Sequence, residues 1–263
     1  MSPATPHQSL GLMLRALKLP SFSANHEALS LRAEQHGWSF SEALRQLCEL
    51  ELHDRTERRV QRLQKASGLP VDKTLATLDR KLLPKKVRAQ LASLCDGGFA
   101  NRGDNLLLFG LPGRGKSHLA AAIGHELVLK GRPVLFTSTH ALVERLLVAK
   151  RELALDKALR KLDSYDVIIL DDIGYVKQDR DQMEVLFTLF AQRYERRSVV
   201  ITSNLVFSQW DKIFHDPMTT AAAIDRLVHH AVIVEMNGPS IREEAAKKRR
   251  RSEDDQAPEE TNE

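Results

Sequence analysis

The sequence predicts an α/β fold, in which a mostly parallel sheet is sandwiched by helices and is preceded by a small all-α N-terminal domain. Between residue 105 and about residue 236, short apolar runs alternate with stretches of helical spacing, which is the pattern of parallel β-α units. A glycine-rich segment follows the first of these runs. Residues 10–65 carry almost no strand signal, so we expect only helices there.

The helical N-terminal region has apolar residues at steps of three and four. Ser39 and Glu42 fit an N-cap and its box partner, which predicts a helix that opens around Phe40 and runs past Leu52. Its continuation presents one basic face, because its cations fall at the same spacing. These cations are Arg55, Arg58, Arg59, Arg62 and Lys65.

Changes in composition divide the chain into four segments. Residues 1–66 form the helical domain, and residues 67–104 form a connector that opens on a helix-breaking Ser-Gly-Leu-Pro and holds one helix at 85–94. Residues 105–242 form the α/β core. The remaining segment, 243–263, is a charged tail whose acidic end has too little apolar content to fold.

The core is expected to contain five strands and four helices in alternation. The strands are predicted at residues 106–109, 134–137, 167–171, 199–202 and 232–235, and the helices at 119–129, 141–149, 183–194 and 221–228. This order implies helices on both faces of the sheet.

The glycine-rich segment, residues 110–117, reads Gly-Leu-Pro-Gly-Arg-Gly-Lys-Ser and matches G-x-x-x-x-G-K-[ST]. It follows an apolar strand and precedes a helical pattern that begins at His118, which is the context in which this motif binds phosphates. Glycines let backbone N–H groups wrap around a phosphate chain, and the N-terminus of the next helix favours the same anion. We expect Lys116 to reach the β- and γ-phosphates and the Ser117 hydroxyl to ligate Mg²⁺. The alternative, a turn with a surface lysine, is disfavoured by the order strand, loop, helix.

A second motif, residues 166–174, is an apolar strand that ends in two acids. A continuous apolar run indicates a strand buried on both faces. Such a strand delivers its last residues to the carboxyl edge of the sheet, where ligands bind. Asp171 would hold the Mg²⁺ shell through water, and Asp172 would orient or deprotonate the attacking water. Without the phosphate loop, two solvated acids would be the preferred interpretation.

Two further polar residues are candidates for a role in hydrolysis. Asn204 follows the fourth predicted strand, where its amide would lie beside the γ-phosphate and hold the attacking water. Arg226, on the last predicted helix, cannot easily reach its own phosphate loop. If it contacts the γ-phosphate bound by a neighbouring subunit, it would stabilise the charge of the transition state. The alternative for Arg226 is a surface salt bridge with Asp225 or Glu235.

Composition excludes several classes of protein. No apolar run approaches the length that spans a bilayer, and the N-terminus lacks a secretion-type apolar segment, so we expect a cytoplasmic location. Cys48 and Cys95 form no C-x-x-C pair, the ten histidines show no metal-ligand spacing, and His229-His230 is interpreted as a helix end. Although the net charge is only +4, 39 lysines and arginines and a pI of about 9.1 leave room for a basic face.

Several blocks of the chain resemble the IstB-like ATP-binding proteins, the AAA+ helper ATPases of insertion-sequence transposition, which are similar to DnaC-type helicase loaders and DnaA-type initiators. The blocks are residues 110–118, 165–176, 184–189, 193–205, 210–214 and 216–230. The most specific are Tyr-Glu-Arg-Arg-Ser-Val-Val-Ile-Thr-Ser-Asn at 194–204 and the block at 216–230, which ends in Ala-Ile-Asp-Arg-Leu-Val-His-His. The resemblance covers nearly all of residues 10–242.

The resemblance implies an AAA+ P-loop ATPase that binds ATP and Mg²⁺, forms homo-oligomers on duplex DNA and assists a partner transposase in selecting target DNA. The implied location is therefore cytoplasmic and DNA-associated. The nucleotide would be held by Gly110, Leu111, Pro112, Gly113, Arg114, Gly115, Lys116, Ser117 and His118. The implied catalytic set is Lys116, Asp172, Asn204 and the trans-acting Arg226, with Ser117 and Asp171 on the metal.

Two positions depart from the family or class pattern. Arg242 matches a second sensor of the nucleotide, but Ile241 stands where the family usually has an aromatic residue. Asp172 is a glutamate in most AAA+ ATPases, and its shorter side chain predicts slow hydrolysis without DNA or partner.

Two basic regions are candidates for contacts with DNA phosphates. The first is the face formed by Arg55, Arg58, Arg59, Arg62 and Lys65; the second comprises Arg145, Lys150, Arg151, Lys157, Arg160 and Lys161. Either could instead be a solvated helix face. Aromatic residues make up only 5% of the chain and do not interleave with the basic runs, which disfavours a single-strand stacking platform and favours the duplex backbone.

Two alternatives to a transposition ATPase stay open. A DnaC-like replicative helicase loader shares the same chemistry, and only the sequence blocks favour transposition over it. A small-molecule phosphotransferase is disfavoured because no acceptor-binding lid follows the phosphate loop and Arg226 would have no use there.

Overall fold

The N-terminal part of the chain is helical, as its apolar spacing predicts. The computed structural model describes residues 6–174, 179–205, 209–210 and 217–237, and the chain divides into two units, residues 1–62 and 63–263. The first unit contains α1 (Pro6–Ala16), α2 (Pro20–His36) and most of α3 (Phe40–Ser67). Leu14 and Leu29 are buried in it.

The start of α3 confirms half of the predicted capping box. The N–H of Glu42 donates to the Ser39 hydroxyl at 3.2 Å, so Ser39 caps the helix. Both carboxylate oxygens of Glu42, however, accept hydrogen bonds from the guanidinium of Arg45. The expected return bond is thus replaced by an ion pair one turn along the helix.

The second unit is built on a five-stranded parallel sheet, which confirms the predicted α/β fold. Its strands are β1 (Asn105–Phe109), β2 (Val134–Ser138), β3 (Val167–Ile173), β4 (Ser198–Ser203) and β5 (Ala231–Glu235). They lie in the order β2-β3-β4-β1-β5, and all neighbouring strands are parallel. The carboxyl ends of β1, β4 and β3 therefore meet side by side at one edge of the sheet, which is where α/β proteins bind ligands.

The described helices of this unit are more numerous than the sequence predicts. They are α4 (Lys85–Asp96), α5 (Gly98–Arg102), α6 (Lys116–Leu129), α7 (Thr139–Arg151), α8 (Leu155–Leu162), α9 (Arg180–Arg193) and α10 (Pro217–Val228). The single connector helix is followed by α5, because Gly97 and Gly103 adopt positive φ angles that end one helix and then the next. None of the described helices is both long and apolar enough to cross a bilayer.

At the opposite edge of the sheet from the carboxyl ends, a buried arginine joins α8, β3 and β4. Arg193, at the end of α9, is only 1% exposed. Its guanidinium donates to the carbonyls of Leu162 (3.1 Å), Tyr165 (2.9 Å), Asp166 (3.1 Å) and Ser198 (3.1 Å). Burial lowers the pKa of Arg193 to about 10. Arg193 thus joins carbonyls at the end of α8 and at the starts of β3 and β4 through one buried guanidinium.

Candidate nucleotide-binding site

The loop between β1 and α6 has the backbone conformation that phosphate binding requires. Gly113 and Gly115 have φ angles of 78° and 81°, which glycine adopts without steric cost. Gly115 is the N-cap residue of α6, and the helix begins at Lys116. The free N–H groups of the first turn of α6 therefore open onto the loop, where they favour an anion.

A pocket of about 390 Å³ lies over this loop, within the size range of small-molecule sites. It is lined by Lys73, Pro112, Gly113, Arg114, Gly115, Lys116, Ser117, His118, Asp172 and Asn204. The loop, the acid-bearing end of β3 and the residue after β4 therefore meet at the carboxyl edge, as their positions in the sequence predict.

Lys116 is held at the loop by backbone carbonyls. Its ammonium donates to the carbonyl oxygens of Gly110 (2.7 Å) and Leu111 (3.1 Å), and the residue is only 6% exposed. Gly110 and Leu111 thus meet Lys116 through their backbone, whereas the other loop residues line the pocket. The Nε of Arg114 is buried without a hydrogen-bond partner among the described residues. Together with the glycine cradle, this donor fits an anionic ligand such as a triphosphate.

The two acids of β3 are arranged by a residue that the sequence did not single out. The Thr202 hydroxyl donates to Asp171 Oδ1 at 2.6 Å and accepts the backbone N–H of Asp172 at 2.9 Å. The register between β3 and β4 shifts between Leu170 and Ile173, and Asp172 has a φ of 61°. The shift directs Asp172 to the pocket wall, while Asp171 is turned toward β4 and is not among the lining residues.

Lys73 lines the pocket although the sequence did not reveal it. It comes from the segment before α4, and a neighbouring stretch is attached to the start of α6: His118 Nε2 lies 3.1 Å from both the Thr77 hydroxyl and the Thr74 carbonyl. Lys73 therefore adds another cationic side chain to the pocket. No local motif marks it, because only the tertiary fold brings it there.

Arg226 does not join the pocket of its own chain. It is exposed on α10, and within the described residues it forms no salt bridge with Asp225 or Glu235. The surface salt bridge considered from the sequence is therefore not formed. Ile241 and Arg242 lie outside the described residues, as do the charged tail and parts of the blocks at 165–176, 210–214 and 216–230.

Two arginines of the first basic region form ion pairs with a buried carboxylate. Arg55 Nε lies 2.7 Å from Glu51 Oε1, and Arg58 Nη2 lies 3.4 Å from the same oxygen. Glu51 is only 3% exposed. A groove of about 770 Å³ lies here in the first unit and is lined by Arg15, Leu17, Lys18, Leu19, Pro20, Glu51, Arg55, Arg58 and Arg62. Arg59 and Lys65 are exposed and are not among its lining residues.

In the second basic region, Lys150 is engaged by acids of α9. Its ammonium lies 3.1 Å from Asp181 Oδ1 and 2.9 Å from Glu184 Oε2. The remaining members are exposed: Arg145, Arg151, Lys157, Arg160 and Lys161. Lys150 is therefore a poorer candidate for a phosphate contact than its neighbours.

The chain is similar in sequence to ATP-binding proteins of insertion sequences and in fold to solved structures of replication proteins. A family model described as IstB-like ATP binding protein matches residues 12–251. An insertion sequence ATP-binding protein of Sinorhizobium fredii is 45% identical over 238 residues, which are 90% of this chain and 80% of the relative. AMPPCP-bound DnaA from Aquifex aeolicus matches with a TM-score of 0.55 and 18% identity, over 74% of this chain and 59% of that one. The DnaC helicase loader matches with a TM-score of 0.52 and 20% identity, over 67% and 99%. At such identities the two structures are similar in fold alone.

Proposed function

Since the chain belongs to the IstB-like ATP-binding protein family, whose members are AAA+ P-loop ATPases, we propose that it assembles on duplex DNA with ATP and assists a partner transposase in selecting target DNA. The observation that carries this proposal is the pocket in which the phosphate loop, Asp172 and Asn204 meet. The relatives named for insertion sequences supply the transposition context.

Different residues of the site are assigned to phosphate binding and to Mg²⁺ binding. The loop N–H groups and Lys116 bind the β- and γ-phosphates, and Arg114 and Lys73 add positive charge. Ser117 and Asp171 would hold Mg²⁺, which neutralises charge that develops on the phosphate oxygens. Thr202 fixes the carboxylate of Asp171 for that purpose.

We assign the positioning of the attacking water to two side chains that line the pocket beside the phosphate loop. Asp172 orients it and accepts its proton, and the Asn204 amide holds it without competing for that proton. Asp172 is shorter than the glutamate usual at this position, so hydrolysis is expected to be slow until DNA or the partner adjusts the site.

The site is expected to be completed by a second copy of the chain. Arg226 is exposed and lies outside the pocket of its own chain, which suits an arginine that reaches the γ-phosphate of a neighbour. This assignment makes a homo-oligomer part of the catalytic mechanism.

Binding to DNA is assigned to the duplex backbone with little sequence preference. The groove of the first unit presents Arg15, Lys18 and Arg62 beside the arginines that pair with Glu51, and cations of this kind neutralise phosphates. Of the second region, the exposed cations other than Lys150 are the better candidates.

A helicase loader is the second candidate function, and the fold likeness to DnaC over 99% of that chain favours it. Both candidates bind and hydrolyse ATP, so the nucleic acid that stimulates hydrolysis separates them. A loader is expected to prefer single strands, whereas a target-DNA ATPase is expected to respond to duplex.

The rate of steady-state ATP hydrolysis tests the proposal. It is measured for the wild type, Lys116→Ala and Asp172→Asn, each without DNA, with duplex DNA and with single-stranded DNA. We expect slow turnover that duplex stimulates, loss of nucleotide binding in Lys116→Ala, and retained binding without hydrolysis in Asp172→Asn. Turnover well above the ~10 s⁻¹ typical of enzymes without DNA would contradict the slow site. Stimulation by single strands alone would favour the loader.

A further inference from the structure

Two turns at the edge of the sheet opposite the phosphate loop bring a carboxylate and two imidazoles together. Glu195 lies in the turn between α9 and β4, and His229 and His230 lie between α10 and β5. One ligand atom from each of the three side chains lies within 4.8 Å of the other two. His230 Nε2 is 3.4 Å from Glu195 Oε1. All three residues are exposed, so a cation from solution can reach them.

The backbone holds both turns in place. The carbonyl of His230 accepts the N–H of Asn105, the first residue of β1, at 2.7 Å. Glu195 has a φ of 56°, an uncommon conformation for a residue with a side chain. The backbone at Gly103 passes close to it, since a Cβ at Gly103 would lie 3.1 Å from the carbonyl carbon of Glu195. The three ligand residues therefore project from backbone that the sheet fixes.

Tyr194 gives His229 the orientation of a metal ligand. The Tyr194 hydroxyl lies 2.9 Å from His229 Nδ1. A phenol oxygen that accepts from Nδ1–H leaves the Nε2 lone pair of His229 available to a metal. Such a partner on the second ring nitrogen is usual for histidines that bind metals.

We propose that Glu195, His229 and His230 form a binding site for a borderline divalent cation such as Zn²⁺. Imidazole nitrogen and carboxylate oxygen are ligands that suit zinc, and three of them leave a fourth position for water or another group. Mg²⁺ prefers oxygen ligands, so this site is chemically distinct from the one at Ser117 and Asp171. Bringing the ligand atoms from the observed separation to bonding distance requires rotation of these exposed side chains.

A metal at this place would join the end of α9 to the end of α10. Arg226 lies in the last turn of α10, shortly before His229. The cation would therefore fix the helix end that carries the arginine assigned to the neighbouring subunit. The binding site itself stands on the geometry of Glu195, His229 and His230 and does not depend on the role of Arg226.

Metal binding by the untagged full-length protein tests the proposal, in the absence of nucleotide and Mg²⁺. Zn²⁺ affinity is measured by competition with a chromophoric chelator, and Co²⁺ is used as a spectroscopic probe of the ligand geometry. The variants are His229→Ala, His230→Ala, Glu195→Gln and Tyr194→Phe. His140→Ala removes another exposed histidine, on α7, and is the matched control.

We expect one Zn²⁺ per chain, and a loss of affinity of more than about tenfold in His229→Ala and in His230→Ala, since even partners of ligands contribute about 10–100-fold. Glu195→Gln and Tyr194→Phe should weaken binding, and His140→Ala should not. A wild type that takes no Zn²⁺ from the chelator would overturn the proposal. Equal affinities of the wild type and both histidine variants would overturn it as well.

Discussion

The hydroxyl of Thr202 makes two contacts that determine how the acids of β3 are presented. It donates to the carboxylate of Asp171 and accepts the N–H of Asp172, and Thr202 is fully buried. Asp172 needs this support because its left-handed φ of 61° costs a residue with a side chain about 1–2 kcal/mol. Thr202 is therefore a positioning residue for both acids.

Thr202→Val should raise the Mg²⁺ concentration needed for half-maximal hydrolysis by about 10–100-fold, the usual cost of losing a residue that orients a metal ligand. ATP hydrolysis is measured against Mg²⁺ concentration. Thr202→Ser keeps the hydroxyl and should restore the wild-type dependence. An unchanged Mg²⁺ dependence in Thr202→Val would show that Thr202 only packs between the strands.

The sequence reveals those residues of the site that lie in continuous motifs. The phosphate loop and the acids of β3 are recognisable because strand, turn and polar residues follow one another along the chain. Lys73 and Thr202 carry no such signal, since they reach the site only when the connector packs on α6 and β4 pairs with β3. Glu195 likewise approaches His229-His230 only in the folded chain, although the end of α10 at Val228 confirms that the two histidines mark a helix end.

At the scale of elements, Arg193 holds the end of α9 against α8 and the starts of β3 and β4. We expect Arg193→Met to lower the free energy of unfolding by about 2 kcal/mol or more, because the carbonyls of Tyr165 and Ser198 lose the guanidinium donor and a buried carbonyl left without a donor costs about 1–3 kcal/mol. Arg193→Lys should recover only part of it, since an ammonium lacks the planar fork that spans several acceptors. Urea denaturation of the wild type and both variants measures the free energy of unfolding.

A result in which Arg193→Met is as stable as the wild type would contradict this account of the sheet edge. Arg180, at the exposed start of the same helix, provides the control: Arg180→Met should change stability little, because it removes no buried donor.

The basic face of α3 contains arginines with different tasks. Arg55 and Arg58 pair with the buried carboxylate of Glu51, so changing them disturbs the helical unit itself. Arg62 is exposed at the same groove and is the cleaner probe of DNA binding. The sequence predicted the face from its spacing, but it could not separate these tasks because the partner Glu51 is recognised only from its burial.

Arg62→Ala should weaken duplex binding and lower the slope of log affinity against log salt by about 0.9, the effect of one phosphate contact. Fluorescence anisotropy over a salt series measures this slope, with ATP binding as the check that the site is intact. Arg32, on α2 and outside the groove, is the control. Equal slopes for the wild type and Arg62→Ala would remove Arg62 from the DNA-binding surface.

One complete active site of this protein is expected to need two chains. Lys116→Ala and Arg226→Ala should each be inactive alone, and the loss from Arg226 should reach about 10³–10⁵ in rate. Their mixture should regain hydrolysis, because an intact loop of one chain can meet an intact arginine of the other. A mixture as inactive as its components would contradict the shared site.

The five strands and their parallel sheet were within reach of the sequence because apolar runs alternate regularly with helices, whereas the order of the strands in the sheet was read only from the structure. The short helices α5 and α8 could not be predicted from the sequence. α5 depends on two glycines with positive φ, and α8 begins after Leu153, which has a φ of 54° and is 96% exposed. Such local backbone conformations leave no periodic pattern in a sequence.

We propose that ATP drives assembly of this protein on duplex DNA. Sedimentation with duplex or single-stranded DNA, in ATP or in ADP, tests it most directly, with Lys116→Ala as the control. We expect large complexes on duplex DNA in ATP, and we expect them to be lost in ADP and in Lys116→Ala. A preference for single strands, or no complex with DNA in either nucleotide, would contradict it.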